Sequence, residues 1–361
     1  NVPRFEDGKF GKAVMVEEGT TNLAGTDNSF ETGTNGFNPY SNNGTVSQTT
    51  EQAFAGSGSL KFVANIVSSG TMSGVMRILS NPSSYQGKTL TLTWKIKGIG
   101  SAIGKKVFAN IYDNVSGSTR GAEITLDGTW QTISVTKTIA ASGVTGVYIY
   151  WLSPIVGSGG LATGDTVYAD CVQLEEKPYA TSFIDGTRST ESLTIPTENV
   201  LNPDEGTVEC RVYVDNVTNF ITRLWNIFDV NHSNGTDDAL SVYSSASTQQ
   251  LTFKTSSDSS NASRLNLNIS SRLTVGWHYV AARWQGTTKW LKWDDLSATE
   301  TNAYMPSTLA TVCGIGHDNS PMGAHINSLI DDLRISAIAR SDAEEIAAYQ
   351  SGQPLQRDEY T

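Results

Sequence analysis

Short segments in which hydrophobic and polar residues alternate recur along most of the chain. Apolar side chains stand two positions apart in residues 60–66, 90–96, 107–111, 133–135, 208–214 and 265–269. A period of two predicts β-strands that bury one face. Turn residues separate these segments at intervals of about ten residues, which is typical of antiparallel β-sandwiches. We therefore predict an all-β protein built from antiparallel sandwiches, and not a parallel α/β sheet.

One short helix is predicted close to the C-terminus. Ser341 and Glu344 have the spacing of a capping box, and Gly352 is a suitable C-terminal cap. The side of the helix that faces the protein is predicted to carry Ile346, Ala347 and Tyr349.

The charge of the chain limits its partners. Its 361 residues include 25 basic and 36 acidic side chains, a formal net charge of −11. The only adjacent basic pair is Lys105-Lys106, whereas nucleic-acid binding needs clustered cations. The longest apolar run, residues 147–156, is far shorter than the roughly 20 residues of a membrane helix. We expect neither a nucleic-acid partner nor membrane insertion.

The two ends of the chain and one internal segment indicate its organisation. The chain begins at Asn1 and ends in a polar tail, so we expect it to be a piece of a longer protein. Charged residues and a proline follow a strand-like segment at residues 173–178, which predicts a domain boundary there. About 150 residues lie on each side, enough for two cores.

Five segments before that boundary resemble carbohydrate-binding modules of the family 4/9/22 group. In the family's order they are residues 28–33, 55–60, 87–92, 128–133 and 168–175 (NSFETG, AGSGSL, GKTLTL, GTWQTI and YADCVQLE). The resemblance implies a sandwich that binds polysaccharide. Cys171 departs from the pattern, because the family often has a second acid at that position.

The remaining chain resembles a laminin-G-like, concanavalin A-type jelly roll. The matching segments are residues 8–14, 191–196, 276–281, 330–335 and 341–346 (GKFGKAV, ESLTIP, GWHYVA, IDDLRI and SDAEEI). The first of these resembles the opening strand of the same fold. We therefore predict one jelly roll from residues 1–19 and 180–352, a module inserted at 20–179, and a tail at 353–361.

Similar tandem arrangements occur in tail proteins of phages and prophages of Gram-positive bacteria, and in secreted glycan-binding proteins. The resemblance implies an extracellular or virion (phage tail) location. It also implies a homo-oligomer formed through flanking regions.

Catalysis by this region is not expected. Jelly-roll enzymes of the laminarinase type carry Glu-x-Asp-x-x-Glu on one strand, and this sequence contains no Glu-x-Asp. Neighbouring acids such as Asp331 and Asp332 would point to opposite faces of a strand, which does not suit the paired carboxylates of a glycosidase. Carboxylates that converge from different strands remain an alternative.

The resemblance implies one structural calcium ion in the inserted module. Calcium prefers oxygen ligands from carboxylates and backbone carbonyls. By analogy with the family, Glu31 and Asp170 would supply carboxylates, and the carbonyls would come from near Asn28 and Ser57. The alternative is that both acids make ordinary hydrogen bonds in a turn and at a strand end.

Candidate sugar-binding residues lie opposite the predicted core positions of two strands. They are Phe108, Asn110, Tyr112, Tyr148 and Tyr150, with Arg77 as an additional donor. Aromatic rings can stack on a sugar, whereas amide and guanidinium groups supply directional hydrogen bonds. The alternative is that these aromatic residues pack under a loop or against the other domain. In the jelly roll, four tryptophans lie close together, and Trp290 is the one whose exposure would matter.

The leading hypothesis is non-catalytic recognition of a polysaccharide or cell-surface glycan by part of a larger protein. Two alternatives stay open. The region could be an accessory segment of a polysaccharide-degrading enzyme whose catalytic domain lies outside it, or a structural spacer without a ligand.

Overall fold

The computed structural model describes residues 4–68, 70–222, 224–230, 239–244, 248–258, 260–318 and 324–355. The chain forms two compact units. We call Thr20–Arg188 the inserted unit, and Asn1–Gly19 together with Ser189–Thr361 the split unit. Residues 356–361 of the predicted tail lie outside the described residues.

Strands dominate both units. The N-terminal segment carries β1 (Arg4–Asp7) and β2 (Lys12–Val16). The inserted unit follows with β3 (Thr20–Thr21), β4 (Asn38–Pro39), β5 (Gly44–Thr49), β6 (Ser59–Ala64), β7 (Ser73–Ile78), β8 (Thr89–Ile99), β9 (Lys106–Asp113), β10 (Gly117–Arg120), β11 (Ile124–Thr125), β12 (Gln131–Thr138), β13 (Val147–Ser153), β14 (Thr166–Glu175) and β15 (Thr187–Arg188). The rest of the split unit contains β16 (Leu193–Pro196), β17 (Glu205–Val214), α1 (Val217–Thr222), β18 (Trp225–Val230), β19 (Ala239–Ser244), β20 (Gln250–Ser256), β21 (Ala262–Asn268), β22 (Gly276–Gln285), β23 (Thr288–Trp293), β24 (Leu296–Glu300), β25 (Val312–Ile315), β26 (Ser328–Ser336) and α2 (Asp342–Ser351).

The inserted unit is a sandwich of two antiparallel sheets. One sheet has the strand order β12-β8-β14-β6-β5, and the other has the order β10-β9-β13-β7-β4 with β11 beside β9. The inward side chains of both sheets form one core, which includes the fully buried Trp94 and Trp151. Thr21 of β3 pairs with Thr187 of β15, so the chain enters and leaves this unit side by side.

The split unit is a second antiparallel sandwich. Its seven-stranded sheet has the order β1-β2-β26-β17-β22-β23-β24, and its six-stranded sheet has the order β16-β25-β18-β19-β20-β21. β2 reaches this sheet by pairing Val14 with Ile330 of β26. Trp225, Trp284 and Trp293 lie in its core. The prediction of an all-β protein with antiparallel jelly-roll sandwiches is confirmed.

The units divide later in the sequence than the predicted boundary at residues 179 and 180. The segment that follows the boundary stays with the inserted unit, because its polar groups are bonded there. The Ile184 amide donates to Gln173 Oε1 over 2.7 Å, and Asp185 Oδ1 accepts from the Asn28 amide over 3.0 Å. The strand pair of β3 and β15 then closes the unit.

The helices differ from the prediction in two respects. The capping box of α2 is confirmed, since Ser341 accepts from the Glu344 amide and the Glu344 carboxylate accepts from the Ser341 amide. However, Ile346 and Ala347 are exposed, and the buried residue of this helix is Glu345. The prediction of an inward side was therefore wrong for Ile346 and Ala347, whereas Tyr349 is half-buried and its ring lies 6.1 Å from that of Tyr279.

A second helix, α1, was not predicted. Its six residues are too short for a periodic pattern to be recognised in the sequence. The ring of Phe220 packs 4.3 Å from the nearby Trp225 ring and 6.1 Å from the ring of Trp293 in β23, so tertiary contacts help to hold the helix. None of the helices in the described part of the chain has the length and apolar character needed to span a bilayer.

Candidate functional site

The candidate site is the outer face of the sheet that contains β9 and β13. Successive side chains of a strand point to opposite faces. Ala109 and Ile149 belong to the core of the inserted unit, so their neighbours in sequence point outward. The pairing of the two strands places outward side chains opposite each other: Tyr112 with Tyr148, Asn110 with Tyr150, and Phe108 with Leu152. We call Tyr40, Phe108, Asn110, Tyr112, Tyr148 and Tyr150 the tyrosine face.

Four tyrosine rings form a continuous aromatic row on this face. The rings of Tyr148 and Tyr150 are nearly parallel, with centroids 6.2 Å apart. Tyr112 meets Tyr148 edge to face at 5.5 Å, and Tyr40 meets Tyr150 in the same way at 5.7 Å. Such pairs are worth about 0.5–1.5 kcal/mol beyond their buried area, so each ring helps to fix the orientation of the next.

The members of the tyrosine face differ in their exposure. Tyr112 and Tyr148 are half-buried, so part of each ring is open to solvent. Phe108 is fully buried and Tyr150 is only 8% exposed. The expectation that these two rings form an open stacking surface is therefore not met. The alternative of packing under neighbouring residues describes both of them.

Residues distant in sequence cover these two rings. The guanidinium group of Arg120 lies 4.7 Å from the centre of the Phe108 ring. It also donates to Met72 Sδ over 3.1 Å. Tyr150 is covered by Tyr40, which lies in a single 3₁₀ turn, Tyr40–Asn42. Neither Tyr40 nor Arg120 was predicted, although Arg120 directly faces Asn110 across β10 and β9.

Asn110 is the polar group at the centre of the tyrosine face. It is 4% exposed, and its Oδ1 has no hydrogen-bond partner within the described residues. A buried acceptor without a partner loses roughly 1–3 kcal/mol, so this oxygen would gain from any donor that can reach it. Burial, followed by the nearby Tyr40 hydroxyl, raises the pKa of Tyr150, which keeps its hydroxyl protonated.

Arg77 does not belong to this face. It pairs with Ile149, whose side chain is in the core of the inserted unit, so Arg77 points to the opposite side of the sheet from Tyr150. Its guanidinium donates to the Ala24 carbonyl and lies 5.8 Å from the centre of the Phe37 ring. The prediction that Arg77 joins the sugar-binding residues was therefore wrong. In the strand register, Arg77 occupies a position whose side chain points inward, one residue away from the outward positions.

Three of the four residues predicted to hold calcium meet at one loop, residues 54–58: Ser57 lies in the loop, and Asp170 and Glu31 bond to it. The Asp170 carboxylate is buried and accepts from the Phe54 and Ala55 amides over 2.7 and 3.1 Å. The Glu31 carboxylate accepts from the Ser57 amide and hydroxyl over 3.1 and 2.7 Å. Both acids therefore hold this loop through its N–H and O–H groups.

These bonds bear on both the charge of the acids and the calcium prediction. The hydrogen bonds from Ser57 lower the pKa of Glu31, whereas burial raises the pKa of Asp170. The Asn28 carbonyl accepts from the Val172 amide over 3.0 Å. These ligands would be hard oxygens, which suits calcium, yet both carboxylates and the Asn28 carbonyl already have partners in the protein. Among the described residues, no group of three or more His, Cys, Asp or Glu side chains is placed to hold a metal ion. Calcium here stays a prediction.

Comparison with known proteins identifies one part of the chain. A laminin G family model, described as the concanavalin A-like lectin/glucanases superfamily, matches residues 185–347. These residues have a concanavalin A-like jelly-roll fold. The match covers most of the split unit and lies outside β1, β2 and the tyrosine face. A comparison with curated proteins found no match to the chain.

Several solved structures are distantly similar. The family 22 xylan-binding domain from Paenibacillus barcinonensis is 15% identical, with 42% of this chain and 94% of that chain covered and a TM-score of 0.33. A heptameric pentraxin from Limulus polyphemus is 17% identical, with 43% and 73% covered and a TM-score of 0.33. A Stig cyclase from Fischerella sp. TAU is 14% identical, with 45% and 100% covered and a TM-score of 0.34. These similarities are too weak to assign a function.

Proposed function

We propose that this region recognises a neutral polysaccharide or cell-surface glycan through the tyrosine face, without catalysing a reaction. The observation that carries the proposal is the unpartnered Oδ1 of the buried Asn110 beside the partly open rings of Tyr112 and Tyr148. A sugar whose C–H face stacks on an open ring can donate a hydroxyl proton to this oxygen once a covering side chain moves aside. The family match of the split unit to a superfamily of lectins and glucanases supports a role with glycans.

The wider setting is part of the same proposal and comes from the sequence resemblance. We place the region in a larger extracellular or virion protein, such as a phage tail component, that assembles as a homo-oligomer through flanking regions. A structural calcium ion at Glu31 and Asp170 belongs to the same set of proposals. The flanking sequence separates a tail protein from an accessory segment of a polysaccharide-degrading enzyme.

The first test is a screen of glycans and bacterial cell walls, repeated with Tyr112→Ala and Tyr148→Ala. If a sugar covers about 60 Å² of one ring, at about 25 cal/mol per Å², each substitution removes about 1.5 kcal/mol, or about tenfold in affinity. The matched control is Phe54→Ala, because Phe54 is 48% exposed and lies outside the tyrosine face of the same unit. This control should bind as the unchanged protein does.

Asn110→Ala separates binding from stability. Removal of the unpartnered Oδ1 relieves a cost of about 1–3 kcal/mol, which offsets the packing lost at this buried side chain. The melting temperature of the inserted unit should therefore change little, while binding weakens. Binding that tolerates all three substitutions on the tyrosine face would refute this site. Failure of every glycan in the screen to bind would favour a structural spacer.

A further inference from the structure

A cavity of about 290 Å³ lies in the split unit, between α2 and the outer face of the seven-stranded sheet. Its walls come from β23, β24 and one side of α2, and they include Trp290, Lys292, Ser297, Glu345, Ile346 and Tyr349. Trp290 and Lys292 point outward, because Leu291 and Trp293, which alternate with them, lie in the core. The cavity shares no residue with the tyrosine face.

Two buried polar atoms beside this cavity have no hydrogen-bond partner among the described residues. They are Oε1 of Glu345, a lining residue only 2% exposed, and Nε of Arg283, which is 5% exposed and is not among the lining residues. The two atoms are 3.7 Å apart, too far for a direct hydrogen bond. Lys292 Nζ stands 3.5 Å from the other oxygen of the same carboxylate. The helix thus brings the Glu345 carboxylate within ion-pair distance of Arg283 and Lys292, but among the described residues the structure shows no hydrogen bond between that carboxylate and either cation.

A hydroxyl group could serve as the missing hydrogen-bond partner of both atoms. It can donate its proton to the Glu345 carboxylate and accept a proton from Arg283 Nε at the same time. Arg283 is otherwise held in place, since it donates to Asp342 Oδ1 over 2.6 Å and to the Arg340 carbonyl. Adjacent hydroxyls are the defining feature of a sugar ring, and a second one would lie within reach of Lys292.

An aromatic wall completes the cavity. Trp290 is half-buried, with the Arg283 guanidinium 4.2 Å from the centre of its ring, and Tyr349 lines the cavity from the helix. A volume of about 290 Å³ is at the lower end of the range for ligand pockets, about 300–1,000 Å³, and suits one ring better than a chain. The charged residues of the lining are one cation, Lys292, and four carboxylates: Asp294, Asp295, Asp342 and Glu345. This excess of negative charge disfavours an anionic ligand, whereas the hydroxyl groups of a neutral sugar can donate to the carboxylates.

We propose that this cavity binds one pyranose ring of a neutral glycan, as a second sugar site that is independent of the tyrosine face. Glu345 would accept a hydrogen bond from one hydroxyl of the sugar, and Trp290 would pack against the ring. Affinity for one ring should be weak, with a Kd on the order of 1 mM. The split unit would then add its own contact to the glycan recognition proposed for the inserted unit.

The test uses the whole chain labelled with ¹⁵N and follows the tryptophan indole signals by NMR. Glucose, galactose, mannose and N-acetylglucosamine are titrated separately, and Trp290→Phe assigns the reporter signal. At least one sugar should shift the Trp290 signal in a saturable way. Ser297→Trp, a change at an exposed position that fills the cavity, should abolish the shift. Glu345→Gln, which keeps the shape but weakens the acceptor, should reduce affinity about fivefold.

The controls separate this proposal from the first one. Trp277→Phe changes a half-buried tryptophan of the same sheet that does not line the cavity, so it should have no effect on the titration. Tyr148→Ala should leave the Trp290 shift intact even where polysaccharide binding is lost. No saturable shift with any of the four sugars, an equal shift with glycerol, or a shift that survives Ser297→Trp would overturn the proposal.

Discussion

Replacing Val16 by alanine should destabilise the split unit and leave the inserted unit unchanged. Val16 lies only a few residues before the inserted unit in sequence, yet its strand β2 belongs to the sheet of the other unit. Val16 pairs with Ser328 of β26 and is fully buried. The Asn327 amide also donates to the Val16 carbonyl over 3.1 Å. The substitution therefore tests which unit contains the N-terminal strands.

The expected magnitude follows from the packing. Val16→Ala removes two methyl groups from a fully buried site, worth about 1.6 kcal/mol at about 0.8 kcal/mol for each group. The site cannot collapse freely, because the backbone at Gly316 packs closely against Val16: a Cβ there would come within 3.0 Å of the valine Cβ. A residual cavity adds to the loss, so we expect a total of about 2–3 kcal/mol.

The assay is native-state hydrogen exchange read by peptide, which reports on each unit separately. A loss of about 2 kcal/mol should reduce protection about 30-fold in the core strands of the split unit, such as β17 and β22. Protection in β8 and β14 of the inserted unit should not change.

The matched control is Val275→Ala, the same chemical change at a residue of the split unit that is 60% exposed. It should alter stability by less than about 0.5 kcal/mol. If Val16→Ala instead lowered protection in β8 and β14, or left β17 unaffected, the assignment of residues 12–16 to the split unit would be refuted.

Three further predictions concern the charge of Lys289, calcium binding by the inserted unit and the N-cap of α2. Burial lowers the pKa of Lys289 to about 8, below the roughly 10.4 of an unfolded chain, so the unfolded state binds more protons between these values. The free energy of unfolding of the split unit should therefore rise with pH above about 8, and urea titrations of Lys289→Met should show a flatter profile than the unchanged protein. Calcium at a hundredfold excess over its Kd should stabilise the inserted unit by roughly 2.7 kcal/mol and so raise its melting temperature, and Asp170→Ala should remove that effect. If melting curves change with neither calcium nor chelator, the role of Asp170 is to accept the amide hydrogen bonds alone. Ser341→Ala should lower stability by about 1 kcal/mol through loss of the N-cap, with faster exchange confined to α2, and unchanged exchange there would contradict it.

The alternation of apolar residues determined which strand faces form the cores. In β9, a period of two placed Ala109 on the inner side and Asn110 on the outer side, and the structure agrees. Local chemistry also defined the start of α2, because a capping box needs only the residues at its own first turn. These features depend on neighbours in sequence, so they are readable without a fold.

Only the tertiary structure decided what each outer face meets. Phe108 and Tyr150 alternate correctly, yet Arg120 and Tyr40, from other parts of the chain, cover them. The sequence suggested that Arg77 could bind a sugar, but the register of its strand places its side chain on the core side of the sheet.

The same reason explains α2, where the sheet beneath the helix, not the helix sequence, selected the buried residue. Arg283 and Lys292 of that sheet attract the carboxylate of Glu345, so the apolar Ile346 is left exposed. Period and capping are set by residues a few positions apart, which the sequence records directly. Burial and pairing on an outer face depend on which distant segments come together, and that is settled only when the chain folds.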